Sequence, residues 1–296
     1  MTRGVIRAPR PARHPSDRFV FAPDERASAV LDTINAARDR LFLSLFRCDD
    51  FQVLDALAAA LHRGVEVSVL LTPRAKGGTR RLDELWQVLE GMGAALCRYA
   101  DPVVKYHAKY IVADDGPALV ASLNFTRKCF TRTCDFLLVT HDPAVVEGLR
   151  RLFEGDCLGK VLSLPPRARR RLVVGPEEGR RGLTETLERG RRSIRIVDPK
   201  LTDPAILELL KAKRAAGVKV EVLGREGLRG YEPHGKMVLV DDEVGILGSL
   251  SLSALSLDFR REVAVVVRDR ACLEEMDRVF RALASPAAPG RTGSVK

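Results

Sequence analysis

Two passages of this 296-residue chain repeat each other in register, and that repeat restricts the fold more than any other feature. The first reads His107-Ala108-Lys109 with Asp114 five residues beyond the lysine; the second reads His234-Gly235-Lys236 with Asp241 at the same step. A serine trails each aspartate (Ser122, Ser249), and a carboxylate follows further on (Asp135, Glu262). Each of these pairs is separated by the same 127 positions. Coincidence does not place so many chemistry-bearing residues in one register, so the chain reads as two copies of a single unit.

The flanking pattern repeats as well. Residues 41–46 form an apolar run that reads as a strand, and Leu54, Leu57, Ala58 and Leu61 follow at helical spacing. Residues 64–71 then read as a glycine helix stop and a buried strand. In the second half, residues 194–197, a helix bearing Ile206, Leu209 and Leu210, and residues 217–223 give the same order at an offset of 153. The offset shrinks to 127 before His107, so the first half holds 26 extra residues. Residues 80–92, with Leu82, Leu85, Trp86 and Leu89 on one helical face, account for them; the counterpart at 224–231 is a short Gly/Arg loop. Trp86 is expected to pack this helix down.

After each histidine the pattern predicts a hairpin turning at Asp114 or Asp241, a further strand beyond each trailing carboxylate, and a closing helix. Strands alternating with helices imply an α/β fold: two pseudo-twofold related units, each a mixed β-sheet flanked by helices. The boundaries read as a disordered basic tail over 1–18, a first unit over 19–155, a linker over 156–170 broken by Leu164-Pro165-Pro166, a second unit over 171–285, and a disordered tail over 286–296.

At 46% hydrophobic residues the chain can bury a substantial core. Six cysteines show no disulfide-scaffold density and no Cys-x-x-Cys, which predicts reduced thiols and a cytoplasmic setting. No apolar run reaches the ~18–20 residues that cross a bilayer, and the N-terminal stretch lacks a secretory apolar core. A net charge of +10 favours polyanionic company: nucleic acid, an anionic membrane surface or phosphorylated substrates. Solvated arginine-rich faces are the plainer account of the same number.

The motif residues carry a specific chemistry. On a strand, positions i and i+2 share a face, so His107 and Lys109 point the same way, as do His234 and Lys236. A lysine beside an imidazole is costly unless an anion sits between them, and two such pairs suggest cations converging on one phosphate. Ser122, Asn124, Ser249 and Ser251, at the ends of the return strands, can add neutral donors to that phosphate. A nucleophilic histidine needs its far nitrogen held by an acceptor, and Asp135 and Glu262 are the candidates, Asp135 for His107. Asp114 and Asp241 read as turn or support residues. A lysine within each motif repels a cation, so neither metal nor cofactor is expected.

Paired His-x-Lys-x4-Asp passages with a trailing Gly/Ala-Ser-x-Asn/Ser resemble the phospholipase D superfamily over essentially the whole folded chain, and the run from Arg260 to Val267 is similar to its bacterial cardiolipin-synthase-like branch. The resemblance implies two halves meeting at one site and metal-independent phosphodiester chemistry through a covalent phosphohistidine. It implies attack by His107 and acid–base work by His234. Three positions depart from the pattern: Ala121 for Gly, Ser251 for Asn, and Asp135 for Glu. The implied substrate is a phosphodiester, read as phospholipid with peripheral contact to an anionic membrane; a nuclease with the same site is the alternative, and a catalytically inactive binding scaffold is the reading from another class. No obligate protein partner is implied.

Overall fold

A computed structural model describes residues 17–72, 79–226 and 228–285; both expected tails, apart from Asp17 and Arg18, lie outside the described residues. The described residues begin with β1 (Asp17–Val20), α1 (Pro23–Asn35), β2 (Arg40–Leu45), α2 (Phe51–His62) and β3 (Glu66–Leu71). The added segment follows as α3 (Thr79–Gly91) and β4 (Ala95–Arg98). Then come β5 (Lys105–Tyr106), β6 (Tyr110–Ala113), β7 (Ala118–Ala121), α4 (Arg127–Thr131), β8 (Thr133–Cys134), β9 (Leu137–Thr140) and α5 (Pro143–Leu158). A short α6 (Pro166–Arg169) leads to β10 (Leu172–Gly175), α7 (Gly179–Arg189), β11 (Ser193–Val197), α8 (Pro204–Ala215) and β12 (Lys219–Leu223). The described residues end with β13 (Glu232–Pro233), β14 (Met237–Val240), β15 (Val244–Gly248), α9 (Ala254–Phe259), β16 (Arg260–Val267) and α10 (Arg270–Ala284).

The first sheet runs β1-β9-β7-β6-β2-β3-β4 and the second β10-β16-β15-β14-β11-β12. Element for element these are one mixed sheet written twice, with β4 the unmatched strand. β2–β3 and β11–β12 pair in parallel through helical crossovers, and the hairpins pair antiparallel. β1 starts at Asp17, inside the span read as a tail. It is held there by pairing with β9 and by Arg171, whose guanidinium donates to Asp17 at 2.8 Å and also to Asp142.

Three apolar clusters organise the packing. One lies between the halves, joining β6, β7 and α5 to β14–β16 and α10; the others fill the outer faces beneath α1–α3 and beneath α7–α8. α10 shows the sequence logic plainly: Cys272, Leu273, Met276, Val279, Phe280 and Leu283 make one buried stripe, with Asp269 capping the first turn. In the added segment, Leu82, Leu85 and Leu89 are buried as their spacing predicts, and Trp86 packs under Arg98, whose guanidinium sits 4.3 Å from the ring centroid.

The cysteine reading needs correction. Cys97 on β4 and Cys157 at the end of α5 form a disulfide, with Cα atoms 5.5 Å apart and a sequence separation of 60. Their sequence spacing carried no hint of it, because the contact depends on where the added segment lands. The other four cysteines are free thiols.

Candidate active site

Each histidine follows a two-residue strand that reaches into the opposite half. β5 runs parallel to the start of β16, with Lys105 opposite Arg260 and Tyr106 opposite Arg261, and His107 N donates to Arg261 O at 2.9 Å. β13 does the same against β8, with Glu232 opposite Thr133 and Pro233 opposite Cys134. One step further along each ladder, a histidine meets a carboxylate. His107 Nδ1 lies 2.9 Å from Glu262 Oε2, and His234 Nδ1 lies 2.9 Å from Asp135 Oδ1.

The pairs are therefore crossed, and the expected pairing of His107 with Asp135 is replaced. Sheet order supplies the reason. β7 lies between β6 and β9, so a histidine entering β6 is two strand spacings, roughly 10 Å, from an acid entering β9. The partner half brings its own acid within hydrogen-bond reach.

This exchange leaves little room at Gly235, the residue between His234 and Lys236. A Cβ there would sit 2.4 Å from Cys134 O and 2.9 Å from Asp135 Cα, whereas its counterpart Ala108 is buried without difficulty. Gly235→Ala is expected to push β13 off β8 and destabilise the fold by about 1–3 kcal/mol, read as a lowered midpoint in urea. An unchanged midpoint with full activity would mean that the two ladders do not approach as closely as described.

Both carboxylates are fully buried and further held by hydroxyls. Asp135 accepts from Ser122 Oγ at 2.6 Å and from Thr133 Oγ1; Glu262 accepts from Ser256 Oγ at 3.0 Å. Ser122 Oγ also accepts from Phe136 N, and Ser249 Oγ spans the N–H and C=O of Val263. These two hydroxyls, expected to face a phosphate, instead brace the strands that carry the acids. Ser251 Oγ is bonded to Asp198 at 3.0 Å. Asn124 stands at the edge of a groove beside His234, its buried Oδ1 without a hydrogen-bond partner in the structure.

Both lysines fold back onto their own motif. Lys109 Nζ donates to His107 O and lies 4.9 Å from the centroid of the Phe46 ring; Lys236 Nζ donates to His234 O at 2.5 Å. Phe46 also packs edge-on against the His107 ring, with centroids 4.7 Å apart. Asp114 accepts from the amides of Arg38, Asp39 and Arg40, and Asp241 from those of Arg191, Arg192 and Ser193. Each aspartate thus ties its hairpin to the loop before β2 or β11, the support role their turn position suggests.

Burial dominates the electrostatics. It pushes His107 down to about 3 despite Glu262, with Lys109 and Lys236 adding to the depression. His234 is lowered for the same first reason, with Lys236 and Lys109 adding to it. Each imidazole therefore feels the lysine of the opposite half, as expected for four groups around one small volume. Burial also brings Lys109 down to about 7. For Asp135 and Glu262 burial acts upward, but their histidine partners and hydrogen bonds outweigh it and the net displacement is downward. Both acids are thus carboxylates facing imidazoles that are neutral at pH 7 in the empty site. Each Nδ1–H donates to its carboxylate, leaving Nε2 as the free lone pair.

Filling such a site with an oxyanion raises the depressed cations, so binding takes up protons. The affinity for tungstate, measured by calorimetry, is expected to fall by up to ~tenfold per pH unit as pH rises above 7, where Lys109 would otherwise be neutral. A pH-independent affinity between 7 and 9 would contradict this.

Cys129, Asp135 and His234 offer ligand atoms within 4.8 Å of one another, the one such cluster among the described residues. Its carboxylate is already hydrogen-bonded to His234, Ser122 and Thr133, and burial raises the Cys129 thiol, so the donor set is poor for a cation. Sequence reasoning missed Phe46, Thr133, Ser256 and Asp198. Only Asp198 left a trace: at the 153-residue offset it answers to Leu45, and a charge replacing an apolar strand residue is a signal of asymmetry.

Comparison with known proteins agrees with this geometry. The family described as "Cardiolipin synthase, PLD-like domain" matches residues 30–157. Cardiolipin synthase A of Pseudomonas aeruginosa is 27% identical over 172 residues, covering 57% of this chain and 32% of the relative. The chain thus matches only about a third of that relative's length. Among solved structures, phosphatidylserine synthase of Haemophilus influenzae superposes over 90% of this chain and 86% of its own, at a TM-score of 0.72 and 12% identity. Polyphosphate kinase of Porphyromonas gingivalis superposes over 93% of this chain and 50% of its own, at a TM-score of 0.72 and 19% identity. At these identities the two superpositions speak for the fold alone. Residues 30–157, which carry the first copy of the motif, are thus similar to the PLD-like domain of cardiolipin synthase, and the two-unit α/β fold is shared with the superposed structures.

Proposed function

We propose that the chain is a metal-independent phosphodiesterase or phosphatidyltransferase that acts on phospholipid through a phosphohistidine. The observation that carries this reading is the pair of crossed histidine–carboxylate bonds flanked by two buried lysines. His107 Nε2 attacks phosphorus while Glu262 holds Nδ1–H and stabilises the cationic ring that forms. The P–O bond to the leaving alcohol breaks, and His234, protonated once the anion is bound, gives that oxygen a proton. His234, now neutral, takes a proton from water or an acceptor alcohol. The new oxygen attacks phosphorus, the P–N bond breaks, and His107 is regenerated. Lys109, Lys236 and the Asn124 amide face the phosphoryl oxygens, while Ser122, Ser249 and Ser251 act through the groups they brace.

Phospholipid is favoured by exposed apolar side chains near the motif loops. Phe125, Phe130, Leu252 and Leu257 are buried, but Leu255 and Phe259 on α9 and Phe51 on α2 stand in solvent. No helix among the described residues is long and apolar enough to cross a membrane. The deciding test is parallel turnover of phosphatidylglycerol vesicles and of single- and double-stranded DNA, each with EDTA. Alcohol release or exchange from lipid that survives chelation supports the proposal; turnover of DNA alone replaces it with the nuclease reading, and binding of both without turnover replaces it with a scaffold.

A further inference from the structure

The two halves differ most where the added segment stands, and that difference lies beside only one histidine. α3, the first turn of α2 and the α4–β8 turn enclose a groove of about 780 Å³ that opens from His234. Among the described residues the second half carries no helix in the corresponding place, between β12 and β13. A phosphodiester group fills a small part of such a volume, and grooves of this size take a substituent as large as a drug molecule. One wall is apolar: Leu54 from α2 faces Leu82 and Leu85 from α3. At the mouth, Phe51 is 80% exposed and Val88 44% exposed, which is unusual for side chains of that size beside a candidate active site. Arg47, Arg81 and Lys128 also line it together with Asp49, Glu84 and Glu232, and Lys128 pairs with Glu232 at 2.5 Å, so the groove offers an apolar interior with a rim of mixed charge. The unpartnered Asn124 Oδ1 lies where the groove meets His234.

We propose that this groove is the acyl-chain subsite of an anionic phospholipid, and that α3 is its specificity-determining wall. The inference rests on the phospholipid reading of the site. The phosphoryl group sits between the histidines, the glycerol part passes Asn124, and the first carbons of an acyl chain lie along Leu82, Leu85 and Val88. Each methylene that enters should lower KM by roughly threefold to fourfold until the groove is full.

Monomeric short-chain phosphatidylglycerols of increasing acyl length, with bis-p-nitrophenyl phosphate as a chain-free control, test this on the full-length protein. Phe51→Asp and Val88→Asp change exposed residues, so folding is spared. Both are expected to raise KM for the dihexanoyl lipid about tenfold or more, to flatten the dependence on chain length, and to leave the control within about twofold. If the wild type turns over the monomeric lipid with no chain-length dependence, or the variants match it, the subsite is wrong while the lipid reading stands. A defect confined to vesicles also overturns the subsite and makes the rim a membrane-docking surface. If the wild type hydrolyses the control but no lipid, the phospholipid reading itself has failed.

Discussion

His107→Ala is expected to lower kcat/KM on bis-p-nitrophenyl phosphate by about 10⁴-fold or more, whereas His234→Asn should release one equivalent of p-nitrophenol in a burst and then stall. The asymmetry follows from the chemistry proposed for each ring. Without the His107 lone pair no covalent bond to phosphorus forms, so nothing is released. p-Nitrophenolate leaves without help from an acid, so a protein lacking His234 can still reach the phosphohistidine. It then has no base to activate water, and the adduct persists. Acid quenching should therefore show an acid-labile, base-stable phosphoprotein in the His234 variant and none in the His107 variant. A burst from His107→Ala with none from His234→Asn would exchange the two roles. Full loss of wild-type activity in EDTA would remove the metal-free mechanism altogether.

The crossed acids supply the second large effect. Because Glu262 holds His107, Glu262→Gln is expected to slow the burst by about 10²-fold or more by weakening hold on the tautomer and on the cationic ring. Because Asp135 holds His234, Asp135→Asn should leave the p-nitrophenol burst within a few fold and slow the later hydrolysis. With a poor leaving group such as glycerol, Asp135→Asn should slow the first step too, since the acid is then needed. Stopped-flow absorbance separates burst from steady state. Were each acid to serve the histidine of its own half, the two variants would show the opposite pattern.

Much of this was legible in the chain itself. The 127-residue register announced the repeat, the apolar runs 110–113 and 237–240 after each histidine placed the strands, and the change in offset located α3. The crossing was not legible, since spacing along the chain cannot say which half an acid serves. That choice is made by β5 and β13, two-residue strands too short to leave a periodic trace. The edge strands β1 and β10 lay at unit boundaries, where composition resembled a tail or linker. Asn124, an expected phosphate ligand, does border the groove beside His234, because it follows the return strand β7 directly. Thr133 and Ser256 were silent for another reason. A hydroxyl bracing a buried acid has no fixed sequence distance from it, and these two lie two and six residues away.

The ladders of β5 on β16 and β13 on β8 have one more consequence. Each half, taken alone, holds a histidine whose acid belongs to its neighbour and an acid whose histidine is elsewhere. A free half would thus carry a base of uncertain tautomer and a buried charge without its partner, and would be both unreactive and poorly stable. Activity becomes a report on docking: a hinge opening of an ångström or two along the seam would disarm both histidines in the same instant, and closure would arm them together.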